Sequence, residues 1–232
     1  MADGTWPKGL KRLWPIQYPE LAKQSVVFVG INPSEGTVVP RVRDPRQLKD
    51  PRLAASVALR DRESFGLEVG IPCHRYFRLL DELSPPGWAH VDLFPVRERK
   101  QERLRAILSL GGDLHPIAKE WLALTMSFLI ALKPRLVVVV NALAARLVEH
   151  HARAAWSLQF VEDGGWYAGT LPGVGVVPFL FSGMVTGQRA LDRYSRDRLR
   201  WHISRALRVR DGERISGGVN RIANDCSPDP SS

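Results

Sequence analysis

Polar side chains stand at four points where a short apolar run stops: Asn32 in Gly30-Ile31-Asn32-Pro33-Ser34, Asp92 in Asp92-Leu93-Phe94-Pro95, Asn141, and Ser182 in Ser182-Gly183-Met184. Glycine at position 30 lets the backbone pass close to a ligand, Pro33 fixes the chain just beyond, and Asn32 projects from a rigid exit. A side chain held in this way can orient a reacting group, although an amide cannot take its proton. Asp92 offers a carboxyl group, and Ser182 a hydroxyl that both donates and accepts. Each position has a plainer reading beside this one, with Asn32 as an ordinary turn residue and Asn141 as the cap of a following helix. Phosphate-binding motifs do not account for the pattern. There is no GxxxxGK[ST], and Gly173-Val174-Gly175 precedes an apolar run instead of following one.

The elements that must position these residues follow from the apolar pattern. Runs at 25–31, 90–94, 135–141 and 176–181 are continuous, rich in β-branched residues and bounded by Pro, Gly or charge, which is the signature of strands buried on both faces. Helical patterns at 51–62, 74–83, 101–110, 115–132 and 142–154 lie between them, and a last helix at about 188–209 follows. Strands alternating with helices predict an α/β domain, three layers (αβα) around a central four-stranded parallel sheet. In such sheets ligands bind outside the carboxyl ends of the strands, where all four polar exits lie. Residues 1–210 read as one domain, and 211–232, poor in apolar residues, as a disordered tail.

The chain of 232 residues carries 33 Lys and Arg against 24 Asp and Glu, a net charge of +9. Such an excess attracts polyanions, nucleic acid first among them, or else simply keeps a basic protein in solution. Two cysteines, Cys73 and Cys226, exclude a disulfide framework and four-cysteine metal sites, and the six histidines show no zinc-ligand spacing. No metal or other cofactor is expected. With no apolar leader and no run long enough to span a bilayer, the reading is a cytoplasmic or nucleoid-associated protein without membrane contact.

Phe28-Val29-Gly30-Ile31-Asn32-Pro33-Ser34 resembles motif A of the uracil-DNA glycosylase superfamily in its GINP form. His74-Arg75-Tyr76-Phe77 is similar to the aromatic-rich start of the next helix in that branch, KPRLVVVV at 133–140 to its third strand, and FLFSGMVTG at 179–187 to motif B, the loop that enters DNA. The likeness spans most of 25–208, strongest at motif A and weak in identity at motif B. It implies a uracil-DNA-glycosylase-like fold and hydrolytic excision of uracil or a related damaged base from DNA, by a monomer, leaving an abasic site. No Lys stands at a strand end to form a Schiff base, so lyase chemistry is not expected.

Base excision passes through an oxocarbenium-like sugar and an anionic leaving base, and it needs the nucleotide out of the stack. The resemblance assigns Asn32 to the attacking water and places Gly30 and Ile31 against the base. Phe65 reads as the stacking ring, or equally as the anchor of a long loop. Asp92 stands where the family usually has an amide reading the base edge. An ionised carboxylate accepts from N3–H of uracil but repels O4, so either Asp92 is protonated or the base is not simply uracil. Asn141 is a second candidate reader. Ser182 and Gly183 replace the usual motif B His as donors to the base. Met184 and Val185 read as an apolar wedge, or as loop residues tucked on the core.

Arg189, Arg193, Arg196 and Arg200 recur along one stripe of the last helix, placed to meet phosphates, while Leu191, Tyr194 and Trp201 read as its core side. The Arg-rich stretch 41–62 reads as a lid or a further track for DNA backbone. Three rivals remain: a glycosylase for hypoxanthine, xanthine or an etheno base; a non-catalytic protein that binds lesions or abasic sites; and a flavodoxin-like small-molecule binder.

Overall fold

A computed structural model describes residues 26–32, 52, 75–84, 87–98, 100–110, 113–186 and 190–211. Phe65, Arg189, the 41–62 stretch apart from Arg52, and the tail beyond Asp211 lie outside the described residues.

The four expected strands form β1 (Val26–Gly30), β2 (Trp88–Asp92), β5 (Leu136–Val139) and β8 (Gly175–Phe181). They run parallel in the spatial order β2-β1-β5-β8. The sheet itself has six strands, not four. Beyond β8 it continues through β7 (Trp166–Leu171) and β6 (Gln159–Val161), both antiparallel. β6 has only three residues, none of them buried, and β7 interrupts its apolar residues with Gly169 and Thr170, so both lack the continuous apolar run that betrays a central strand. The β7–β8 turn uses Gly173 and Gly175 at positive φ, which explains the glycine pair that precedes β8. A separate small hairpin joins β3 (Ser109–Leu110) to β4 (Asp113–Leu114).

Helices cover both faces of the sheet. On one face, α2 (Gln101–Leu108), α3 (Pro116–Ala131) and α4 (Ala142–Ala155) pack Leu104, Met126, Leu129 and Val148 against Val27, Val29, Val137, Val139 and Phe179. On the other, α1 (Arg75–Leu83) and α5 (Arg193–Arg210) pack Phe77, Leu80, Leu199 and Ile203 against Phe28, Leu136, Val138 and Leu180. Each strand of the parallel core therefore buries both faces, the reason its sequence shows no polar alternation. Among the described residues, no helix is long and apolar enough to cross a membrane.

Helix α5 differs from its sequence reading. Leu199, Ile203 and Ala206 form its buried stripe, whereas Tyr194 is 77% and Trp201 50% exposed. Both aromatic residues were expected in the core. The buried set recurs at four and three residues, and a single helix face cannot also hold positions 194 and 201, which lie nearly opposite. The helix runs from the carboxyl-end rim of the sheet back to its amino end. There Arg135 pairs with Asp211 at 2.5 and 2.6 Å, and Arg210 donates to the carbonyls of Arg135 and Val176.

Candidate functional site at the strand carboxyl ends

From β1 the chain crosses to β2 on one side, and from β5 it proceeds to β8 on the other. Connections diverging from neighbouring strands open a crevice at their carboxyl ends. In this topology the connections diverge between the exits of β1 and β5. Asn32 follows the exit of β1 and is tied toward the loop after β2. Gly30 pairs in register with Asp92, Val139 pairs with Phe181, and the Val140 amide donates to the Val29 carbonyl. Since side chains alternate along a strand, Gly30, Asp92, Val140 and Ser182 share one level on one sheet face. Three strand spacings put the Asp92 and Ser182 backbones about 14 Å apart.

Two tethers fix Asn32. Its Nδ2 donates to the carbonyls of Val96 at 3.1 Å and Glu98 at 2.8 Å. These bonds set the amide plane, so any water Asn32 positions must be held through Oδ1, which accepts. Glu98 is itself buried, with Oε1 accepting from the Lys100 amide and Oε2 3.2 Å from Arg103 Nε. Arg97 is buried beside it in the sequence. Sequence reasoning missed Arg97 and Glu98 because they sit in a run of charge that reads as a solvated loop. The only available signal was their place just beyond a strand exit.

Asp92 is held from below. His90, two residues earlier on the same strand face, brings Nε2 to 3.4 Å from Asp92 Oδ1, and Tyr76 Oη of α1 lies 3.3 Å from His90 Nδ1. A neutral imidazole protonated on Nε2 satisfies both contacts, donating to Asp92 and accepting from Tyr76. Rings of Tyr76 and Phe77 stand edge-on to His90, with centroids 5.1 and 5.8 Å away. Burial first, and the charge of Asp92 second, push the Tyr76 phenol well above its usual pKa, so it stays a neutral donor. Gly30 completes the packing. A Cβ there would collide with Asp92 Oδ1 and come within 3.0 Å of His90 Cε1. The space that the glycine opens is thus filled by the chain's own carboxylate and imidazole.

No protein-family model and no curated protein matches this chain. The site must therefore be judged on its own residues, and several sequence expectations change. Ile31 turns to the opposite face and packs in the core, with its carbonyl accepting from the Phe94 amide, so its side chain does not line the crevice. Asn141 also faces the opposite side. Its Oδ1 accepts from the amides of Leu143 and Ala144 at 2.9 and 3.3 Å and from Gln101 Nε2 at 2.8 Å. It is the cap of α4, the plainer of its two readings. Val185 is 2% exposed and belongs to the core under α5, so as placed it is no wedge. Met184 is half-buried, bridging to Ala190.

Ser182 and Gly183 are half-buried at the end of β8. The Ser182 amide donates to the Val139 carbonyl at 2.8 Å, so its contribution to a ligand comes from the hydroxyl and not the backbone. A Cβ on Gly183 would lie 3.3 Å from Leu191 Cδ2, leaving little room there for a larger residue. Arg193, Arg196 and Arg200 gather as the stripe requires, but along a groove of ≈ 200 Å³ between α5 and α1 that Leu79, Glu82, Leu83 and Asp197 also line. The two carboxylates temper its positive charge. Arg196 Nε is buried there without a hydrogen-bond partner among the described residues. No cluster of metal-ligating side chains occurs among the described residues.

Proposed function

We propose that this chain is a monofunctional DNA N-glycosylase of the uracil-DNA glycosylase superfamily, excising uracil or a base with a related edge and leaving an abasic site. One observation carries the reading: an amide locked in orientation, a buried carboxyl group and a hydroxyl stand at the carboxyl ends of three strands of one parallel sheet. A four-stranded parallel core covered by helices on both faces supports the family resemblance. In this scheme Asn32 holds the attacking water through Oδ1, Asp92 accepts from the edge of the flipped base, and the Ser182 hydroxyl donates to the charge that develops on it. Arg193, Arg196 and Arg200 lie on the flank where a phosphate backbone would pass. The protein acts as a monomer on DNA and needs no cofactor.

The test is to incubate the chain with uracil-containing DNA, treat with alkali and look for strand scission. The expected result is a break at uracil, with Asn32→Ala slowing release roughly a hundred-fold and leaving DNA affinity intact. An uncut strand with the native chain rejects the glycosylase reading. One observation favours a second reading, a lesion-binding protein without turnover: Asn32 spends both Nδ2 protons as a clamp on the loop after β2. Tight binding to abasic DNA by a chain that releases no base selects it.

A further inference from the structure

Helix α5 presents its outermost face in an order that base excision does not use. Opposite its buried stripe of Leu199, Ile203 and Ala206, positions 194, 198, 201, 205 and 208 recur at four, three, four and three residues. They are Tyr194, Arg198, Trp201, Arg205 and Arg208. Aromatic side chains are more often covered than exposed on a folded surface, yet Tyr194 is 77% and Trp201 50% exposed. The Trp201 ring is not loose. Arg205 Cζ lies 5.0 Å from its centroid, and Arg205 is anchored in turn by donating to the Asp163 carbonyl of the β6–β7 turn. Arg198 is steadied by the Ser195 hydroxyl at 3.1 Å. Behind them His202, edge-on to Trp201 at 4.9 Å, is held below its usual pKa by burial and then by the charges of Arg205 and Arg198.

We infer that this face of α5 binds single-stranded nucleic acid, with Tyr194 and Trp201 stacking on unpaired bases and the interleaved arginines meeting the phosphates. Flat rings alternating with guanidinium groups are the chemistry that such strands require. Bases in a duplex are stacked inside and offer no free faces. The two rings are seven residues, about 10 Å, apart along the helix, so they suit non-adjacent bases of a flexible strand. Lipid is a poor fit, because a membrane-lying helix needs a continuous apolar side and here an arginine follows each ring. A protein partner would find no continuous apolar patch on this helix, and the chain's charge of +9 favours a polyanion. The inference stands apart from base excision.

The test titrates fluorescein-labelled oligothymidylate with the full chain and follows anisotropy, with the matching duplex and anionic vesicles as rival ligands. Oligothymidylate contains no uracil, so a chain that fails to release uracil is still expected to bind it. Tyr194→Ala and Trp201→Ala should each weaken binding roughly ten-fold. Arg198→Ala should lower the salt slope by about one. Leu124→Ala, on an exposed part of α3 in the opposite layer, should change nothing. Failure of the native chain to bind the strand overturns the inference, as does unaltered binding by the Tyr194/Trp201 double alanine variant. So does a double variant that loses only vesicle binding or self-association while keeping its affinity for the oligonucleotide.

Discussion

Strands β2 and β5 flank β1, and a polar side chain with little exposure stands at the end of β2, Asp92, and just beyond β5, Asn141, but the two are held in different ways. Asn141 is satisfied mostly by its own neighbourhood: two amides of the helix it begins, with Gln101 added from α2. Asp92 has no helix following directly. It is held by His90 from its own strand face and, through His90, by Tyr76 of α1. A polar residue that a helix start already explains is structural by default. A buried carboxyl group supported by a histidine of its own strand face and, behind that, by a tyrosine of α1 costs more to install than a cap and starts no helix that would explain it. The contrast sets a polar residue with a local structural reason against one without, at the ends of the two strands that flank β1.

Replacing the two residues in turn should break or sharpen that contrast. The largest effect is expected from Asp92→Ala, which should slow base release by about a hundred-fold or more while Asn141→Ala leaves the turnover number near native. Single-turnover release from uracil-containing DNA measures both. If Asn141→Ala abolishes release as thoroughly as Asp92→Ala, the distinction collapses. On stability the order reverses. Asn141→Ala should cost about 1 kcal/mol in chemical denaturation through the lost cap.

The smallest effect concerns the relay beneath Asp92. Tyr76→Phe removes the hydroxyl that faces His90, at a cost of about 1 kcal/mol near neutral pH. Because the folded state raises the Tyr76 pKa above its usual 10.0, that contribution is complete below pH 10 and falls as the pH climbs above it, where the unfolded chain ionises first. The native protein should therefore lose stability in alkali more steeply than Tyr76→Phe. Denaturation curves at a series of pH values check the sign, and parallel curves for the two proteins would show that Tyr76 is not buried as described.

Much of this fold could be read from local pattern. The four parallel strands announce themselves as unbroken apolar runs because each is buried on both faces, and the helices of α2 to α4 follow from their periodicity and flanking signals. The β6–β7 hairpin escaped since β6 is only three residues long with none buried, and β7 carries Gly169 and Thr170 where a central strand has valine. On α5 the aromatic residues misled: Tyr and Trp are large and apolar enough to suggest core, but helical phase, set by Leu199, Ile203 and Ala206, decides which side is covered. The candidate site was half visible. Gly30, Asn32, Asp92 and Ser182 mark strand exits in the sequence, and strand alternation sets His90 on the face of Asp92, whereas nothing local shows that Tyr76 stands behind His90 or that the Glu98 carbonyl holds Asn32.

Composition and apolar patterning by themselves determined that this is a basic α/β protein with polar residues at its strand exits, because burial on two faces writes a period into the chain. Which strands became neighbours was decided only in three dimensions. Hydrogen bonds between segments more than a hundred residues apart set β5 beside β1, and with that pairing came the diverging connections, the one face shared by Asp92 and Ser182, and the turning away of Asn141 and Ile31.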